Sequence, residues 1–255
     1  MEAETAKAIQ YAQQLLDVAI DVVRNARVEL DESWARNPKV VALNLLCRSL
    51  SNFRAAVLLV QQSHVMEARV LVRCLYENLL WMGALRERGS AFVQDMIQDE
   101  AFNRKALGEL TLKMSSKHGV DVSGLESLRL RGIIKDLAER FPKTKKLHAD
   151  KTAAEGAVET TYVEYVRLSL DAVHCSVMAL GRHVSTQRLE DRAELTVNVE
   201  ARTTPAELRS TVLHACRALM GTAVGANELV GFTNVSDKLG ALVTEFEKNG
   251  WARGD

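Results

Sequence analysis

The sequence predicts an all-α protein, a bundle of about seven or eight helices with one short β strand or hairpin near 194–200. Three observations predict it. Only three prolines occur in 255 residues, and an interior proline breaks a helix by removing a hydrogen bond and clashing with the turn before it. Apolar residues recur at three- and four-residue steps through most of the chain, the period of a helix with one buried face. Strict alternation appears between Glu194 and Glu200, where Leu195, Val197 and Val199 face one way and Thr196 and Asn198 the other; that is a strand pattern, and a lone strand needs a partner.

The elements follow in order. A first helix is expected from about Glu2 to Asp31, on Ile9, Leu16, Ala19, Ile20, Val23 and Leu30. Asn37-Pro38 is a cap followed by a first-turn proline, opening a second helix to about Gln62. The break at Ser63-His64 is short, so the third helix, to about Arg88, lies antiparallel to the second. Gly89-Ser90 separates a fourth helix marked by Phe92, Met96, Ile97, Phe102, Leu107, Leu110 and Leu112. Ser123 and Glu126 have capping-box spacing and open a fifth helix that closes near Phe141-Pro142. Residues 143–159 are polar and lysine-rich and are expected to form a surface loop. A sixth helix should run unbroken from about Thr160 to His183. Thr204-Pro205-Ala206-Glu207 is a strong start for a seventh, reaching about Val230, and Ser236 to Asn249 is a short last helix. With no repeat and no convincing linker, residues 1–255 are expected to form a single helical domain.

Composition narrows function. Lys plus Arg equals Asp plus Glu, which argues against a broad duplex-DNA surface, since such proteins carry a basic excess. The acidic start and the shortness of the longest apolar run give neither a signal peptide nor a membrane span, so a cytoplasmic protein with no membrane partner is expected. Cys47, Cys74, Cys175 and Cys216 sit in apolar helical stretches without zinc-type spacing and are expected to be buried, reduced thiols. No His-Glu-x-x-His, phosphate-binding glycine loop, dinucleotide fingerprint or serine elbow is present, so no metal and no cofactor are expected.

The informative residues are charges embedded in apolar helices. Arg69, Arg73 and Glu77 step by four along the third helix and share a face; Arg48 and Arg54 are similarly placed on the second. A charge buried there must be paired and hydrogen-bonded. The sixth helix carries Tyr162, Tyr165, Arg167, Ser169, Asp171 and His174. At 100° per residue Arg167 and His174 nearly superpose, with Asp171 between them. Histidine titrates near neutral pH and suits acid–base work, while an arginine beside it can hold or stabilise a phosphate. Arg209 and His214, five apart on opposite faces of the seventh helix, are set aside.

Two segments together resemble an uncharacterised bacterial helical family, a domain of unknown function, over roughly residues 40–230. The first is Arg48 through Trp81, containing Val72-Arg73-Cys74-Leu75-Tyr76-Glu77; the second is Tyr165-Val166-Arg167-Leu168-Ser169-Leu170-Asp171-Ala172-Val173-His174-Cys175-Ser176. The pattern is similar to HEPN-type bundles, whose members include metal-independent ribonucleases of bacterial defence and toxin systems and carry an arginine followed at close range by a histidine. The resemblance implies RNA or a nucleotide as ligand, and a homodimer, because HEPN-type sites form at dimer interfaces. The residue after the arginine, usually polar in active members, is Leu168 here.

Three readings stand side by side. As a ribonuclease, His174 is the general acid/base, Arg167 stabilises the phosphorane, Asp171 and Tyr165 position them, and Arg73, Glu77 and Ser169 support the site. As a binding module, the same inter-helix cluster holds an anionic ligand or a partner without turnover. As a structural network, it fixes helix register.

Overall fold

The computed structural model describes residues 3–29, 34–117, 125–189 and 192–252. Among these residues the chain is 77% helical, with ten α-helices and one two-stranded sheet, so the protein is all-α with a short hairpin. In chain order come α1 (Ala3–Asn25), a 3-10 turn at Trp34–Arg36, α2 (Pro38–Gln61), α3 (Val65–Arg88), α4 (Ser90–Lys117), α5 (Leu125–Arg140), α6 (Ala149–Glu155) and α7 (Glu159–Leu168). A π-turn at Ser169–Val173 and α8 (Val177–Gly181) follow, then β1 (Val184–Arg188), β2 (Ala193–Val197), α9 (Pro205–Leu229) and α10 (Ser236–Lys248).

The body is made by α1, α2, α3 and α9, which pack on one another. Their apolar faces meet in a core that includes Leu15, Leu46, Phe53, Leu75, Tyr76 and Leu219, all closed to solvent. Local chemistry sets the helix ends. Asn37 Oδ1 accepts from the Lys39 N–H at 2.9 Å with Pro38 in the first turn. Thr204 and Glu207 form the expected reciprocal box, with the Glu207 N–H donating to Thr204 Oγ1 at 3.2 Å and the Thr204 N–H to Glu207 Oε2 at 2.9 Å. Each bond satisfies a backbone N–H that the helix leaves free.

Several expectations need correction. The first helix ends at Asn25, where Asn25 Nδ2 donates to the Asp21 carbonyl at 2.9 Å and Arg27 Nη1 to the Arg24 carbonyl at 3.0 Å; Asp31 lies outside the described residues, as does the Ser123–Glu126 box. Residues 143–159 are not a loop throughout. Residues 149–155 form α6, which packs on α3 with Thr152 and Ala153 buried. Two glycines make that approach close: a Cβ on Gly156 would lie 2.5 Å from the Ala84 backbone nitrogen and 2.6 Å from the Gly83 carbonyl carbon. Lys145 instead reaches Asp95 at 2.9 Å, and the Leu147 N–H donates to Asp99 Oδ1 at 2.8 Å.

The expected sixth helix is interrupted, which with α6 raises the helix number to ten. It leaves α geometry at Ser169, makes a π-turn closed by the His174 N–H to the Ser169 carbonyl at 3.0 Å, and breaks at His174, whose backbone is extended (φ −91°, ψ 142°). The alternating segment pairs as predicted within a hairpin, Val184 opposite Val197 and Arg188 opposite Ala193. Of the cysteines, Cys216 is buried and Cys74 half-buried, but Cys47 and Cys175 are exposed; Cys175 falls in the break, outside any helix. By length and composition α2, taken as a whole helix, is long and apolar enough to cross a membrane. In the fold it packs against α1, α3 and α9.

Candidate functional site

A cleft of about 860 Å³ opens between α3, the α7–π-turn segment, the α8–Arg182 segment and the first turns of α9. Val163, Val166, Leu170 and Met178 line it with apolar surface, and three of them, Val163, Leu170 and Met178, are exposed. The helical period places Val163, Val166 and Leu170 on one side of α7 and its continuation.

Charge lines the rest. Arg69 pairs with Asp171 and lies 3.7 Å from Glu207. Arg182 donates to Asp171 at 3.1 Å and pairs with Glu207 at 2.6 Å. Arg69 Nε also donates to Thr211 Oγ1 at 3.2 Å. Burial works against the Arg182 cation, but its hydrogen bond to Glu207 and the nearby Asp171 outweigh this and raise its pKa. Burial likewise works against the Glu207 carboxylate, while the Arg182 and Thr204 hydrogen bonds hold its pKa below the ordinary value. Arg167 stands at the cleft with its side chain 59% exposed, 3.7 Å from Glu164.

Next to the cleft, α3 grips α7 through the second cluster. Arg73 donates to Glu77 at 2.8 Å, to Ser169 Oγ at 3.4 Å and to the Tyr165 hydroxyl. Ser169 Oγ in turn donates to the Tyr165 carbonyl at 2.8 Å. The structure therefore brings Arg73, Glu77, Tyr165 and Ser169 together, as expected for α7 lying beside α3.

The other expected grouping does not form. Asp171 does not bridge Arg167 and His174; its partners are Arg69 and Arg182. The π-turn has more residues per turn than an α-helix, and the extended His174 leaves the helical path, so the seven-residue superposition of Arg167 and His174 is lost. The His174 side chain is exposed and has no hydrogen-bond or ion-pair partner among the described residues. Among those residues no group of three His, Cys, Asp or Glu side chains is placed to hold a metal ion.

His214, which its spacing from Arg209 gives no reason to single out, belongs to a largely buried polar cluster. His214 on α9 lies with Nδ1 3.1 Å from the Tyr76 hydroxyl and 3.5 Å from Arg217 Nη1. Burial, then the positive charge of Arg217, press its pKa down to about 4, so the ring is neutral and Nδ1 is free to accept. Its Nε2 stands 3.8 Å from Glu164 Oε2, too far for a hydrogen bond. Tyr76, fully buried, has its hydroxyl pushed up to about 12 by desolvation. Arg182 and Glu207 were missed as site residues as well, although Glu207 was legible as a cap. The single signal available for His214 was a histidine inside an apolar helix.

No curated protein and no solved structure matches the chain. Residues 39–192, more than half of the chain, match a family of unknown function, DUF5677; the match takes in Arg69, Arg73, Glu77, Tyr165, Asp171 and Arg182 and stops short of Glu207. The chain belongs to the DUF5677 family.

Proposed function

We propose that the chain is a non-catalytic binding module whose large cleft holds a ligand with an apolar body and an anionic group. The lining of that cleft carries the reading. Val163, Leu170 and Met178 are exposed there, and covering them gains roughly 25 cal/mol per Å² removed from water. Three guanidinium groups, Arg69, Arg167 and Arg182, share the cleft with two carboxylates, Asp171 and Glu207. Arg69 and Arg182 are tied to those carboxylates, while Arg167 is 59% exposed and stands 3.7 Å from Glu164, beyond hydrogen-bond distance, so its fork can turn to an anion. The volume is in the range of small-molecule sites, about 300–1,000 Å³. That Asp171 is committed to Arg69 and Arg182, and joins neither Arg167 nor His174 among the described residues, favours this reading over the ribonuclease.

The probe is anilinonaphthalene sulfonate, an apolar ring system with one sulfonate, titrated by fluorescence into folded protein and competed with dodecanoate. One saturable site is expected. Leu170→Glu, at an exposed wall position, and Arg167→Ala are expected to weaken it without changing the circular dichroism. Probe binding that neither substitution alters overturns the proposal. RNA cleavage by the wild type that disappears in His174→Ala also overturns it, in favour of the ribonuclease.

A further inference from the structure

A second cavity, of about 350 Å³, lies between α2, α3 and α4, away from the cleft. One part of its lining is apolar, from Val41, Leu45, Trp81 and Met96. The Trp81 indole is held edge-on to Phe92, with ring centres 6.3 Å apart. The remainder is polar, with Arg48, Glu77 and Asn78 in the same small space.

The two charges in this cavity do not neutralise each other. Glu77 uses Oε2 to accept from Arg73 at 2.8 Å, and its Oε1 has no donor among the described residues. Arg48 has no carboxylate partner among the described residues. Asn78 donates through Nδ2 to Ser49 Oγ at 3.0 Å, which leaves its Oδ1 without a donor among the same residues. Arg48 leaves a positive charge for a carboxylate, while Glu77 Oε1 and Asn78 Oδ1 are two acceptors open to a donor such as an ammonium, so a ligand that carries both groups at one end suits the polar lining. A simple anion leaves those two acceptors without a donor, and a simple cation meets Arg48 without a counter-charge, costs that a zwitterion avoids.

We propose that this cavity binds a small zwitterion with an apolar side chain, an α-amino acid of the phenylalanine or leucine type. Its carboxylate pairs with Arg48. Its ammonium group donates to Glu77 Oε1 and Asn78 Oδ1. Its side chain lies among Leu45, Trp81 and Met96. The site is separate from the cleft and does not depend on what the cleft binds.

The test is isothermal titration of the full chain with L-phenylalanine and L-leucine, beside their N-acetyl derivatives, which lack the ammonium, and phenethylamine and 3-methylbutylamine, which lack the carboxylate. At least one of the two amino acids is expected to bind, and removal of either charge from L-phenylalanine or L-leucine to weaken binding by roughly tenfold or more, the scale of a charge-assisted hydrogen bond. Arg48→Ala, at an exposed position without a carboxylate partner among the described residues, is expected to keep its melting temperature and lose the amino acid. No heat from either amino acid at millimolar concentration overturns the proposal. So does equal binding of the acetylated or decarboxylated analogue, or unchanged binding by Arg48→Ala.

Discussion

The Arg73 guanidinium lies over the Tyr165 ring, its central carbon 4.5 Å from the ring centre, and also donates to the phenol oxygen. One side chain of α3 therefore holds α7 by a face contact and an edge contact, while a further hydrogen bond reaches the start of the π-turn at Ser169. Arg73→Lys keeps the charge but loses the planar fork. It is expected to lower stability by about 1–3 kcal/mol. A double-mutant cycle with Tyr165→Phe, read by urea unfolding, should show the two substitutions to be non-additive. Additive losses would mean that the hydrogen bond to the phenol oxygen contributes nothing of its own.

His214 gives the fold a pH dependence of definite sign. Its pKa falls from 6.5 in the unfolded chain to about 4 in the folded one. Above pH 6.5 both states are neutral and its contribution is complete. As pH falls from 6.5 towards 4 the unfolded state takes up a proton that the folded state refuses, and stability drops by about 3 kcal/mol. His214→Gln should flatten the unfolding free energy across that window, as measured by denaturant titrations at a series of pH values. A wild-type slope retained in the variant would assign the effect elsewhere.

Glu207 acts in a lower window. Its folded pKa lies below the ordinary 4.5, so its contribution is present above pH 4.5 and is lost as pH falls through the depressed value. Glu207→Gln removes the ion pair with Arg182 and keeps an amide oxygen that can accept from the Thr204 N–H. At neutral pH it should cost about 1–2 kcal/mol, and the difference from wild type should shrink on acidification below pH 4.5. A constant difference at every pH would assign the loss to packing rather than to charge.

Gly156 tests the seating of α6. Its backbone needs no glycine conformation (φ −95°), so Gly156→Ala strains only the contact with Gly83 and Ala84. Backbone cannot move aside as a side-chain tip can, and a loss of about 1–3 kcal/mol is expected. Thermal melts check it, with Gly132→Ala in α5, where a Cβ meets nothing within 4 Å and helix propensity favours alanine by up to about 1 kcal/mol, as the unstrained comparison.

What was legible in the sequence was what repeats or caps. The helical period located α1 to α5, α9 and α10, and Thr204-Pro205-Ala206-Glu207 gave the start of α9 to the residue. The four-residue step of Arg69, Arg73 and Glu77 placed one half of a real cluster, and Tyr165 and Ser169 the other. The π-turn was not legible, because one widened turn has no compositional signature and leaves the apolar pattern of 160–173 intact. With it went the inferred meeting of Arg167, Asp171 and His174. α6 was hidden because Thr152 and Ala153, its buried positions, are small and follow a run of lysines. Arg182 and Glu207 meet only after the hairpin reverses the chain, and of the groups around His214 only Arg217 is local, Tyr76 and Glu164 coming from α3 and α7, so local spacing could not reveal either grouping.

Arg69, Asp171, Arg182 and Glu207 close a ring in which positive and negative charges alternate. Each belongs to a different stretch of chain: α3, the π-turn, the end of α8 and the first turn of α9. No member can withdraw without leaving two neighbours short of a counter-charge, so the four stretches are fastened to one another as a unit. An anion entering between them competes for guanidinium groups already in use, and its arrival would be felt at once on every side of the ring.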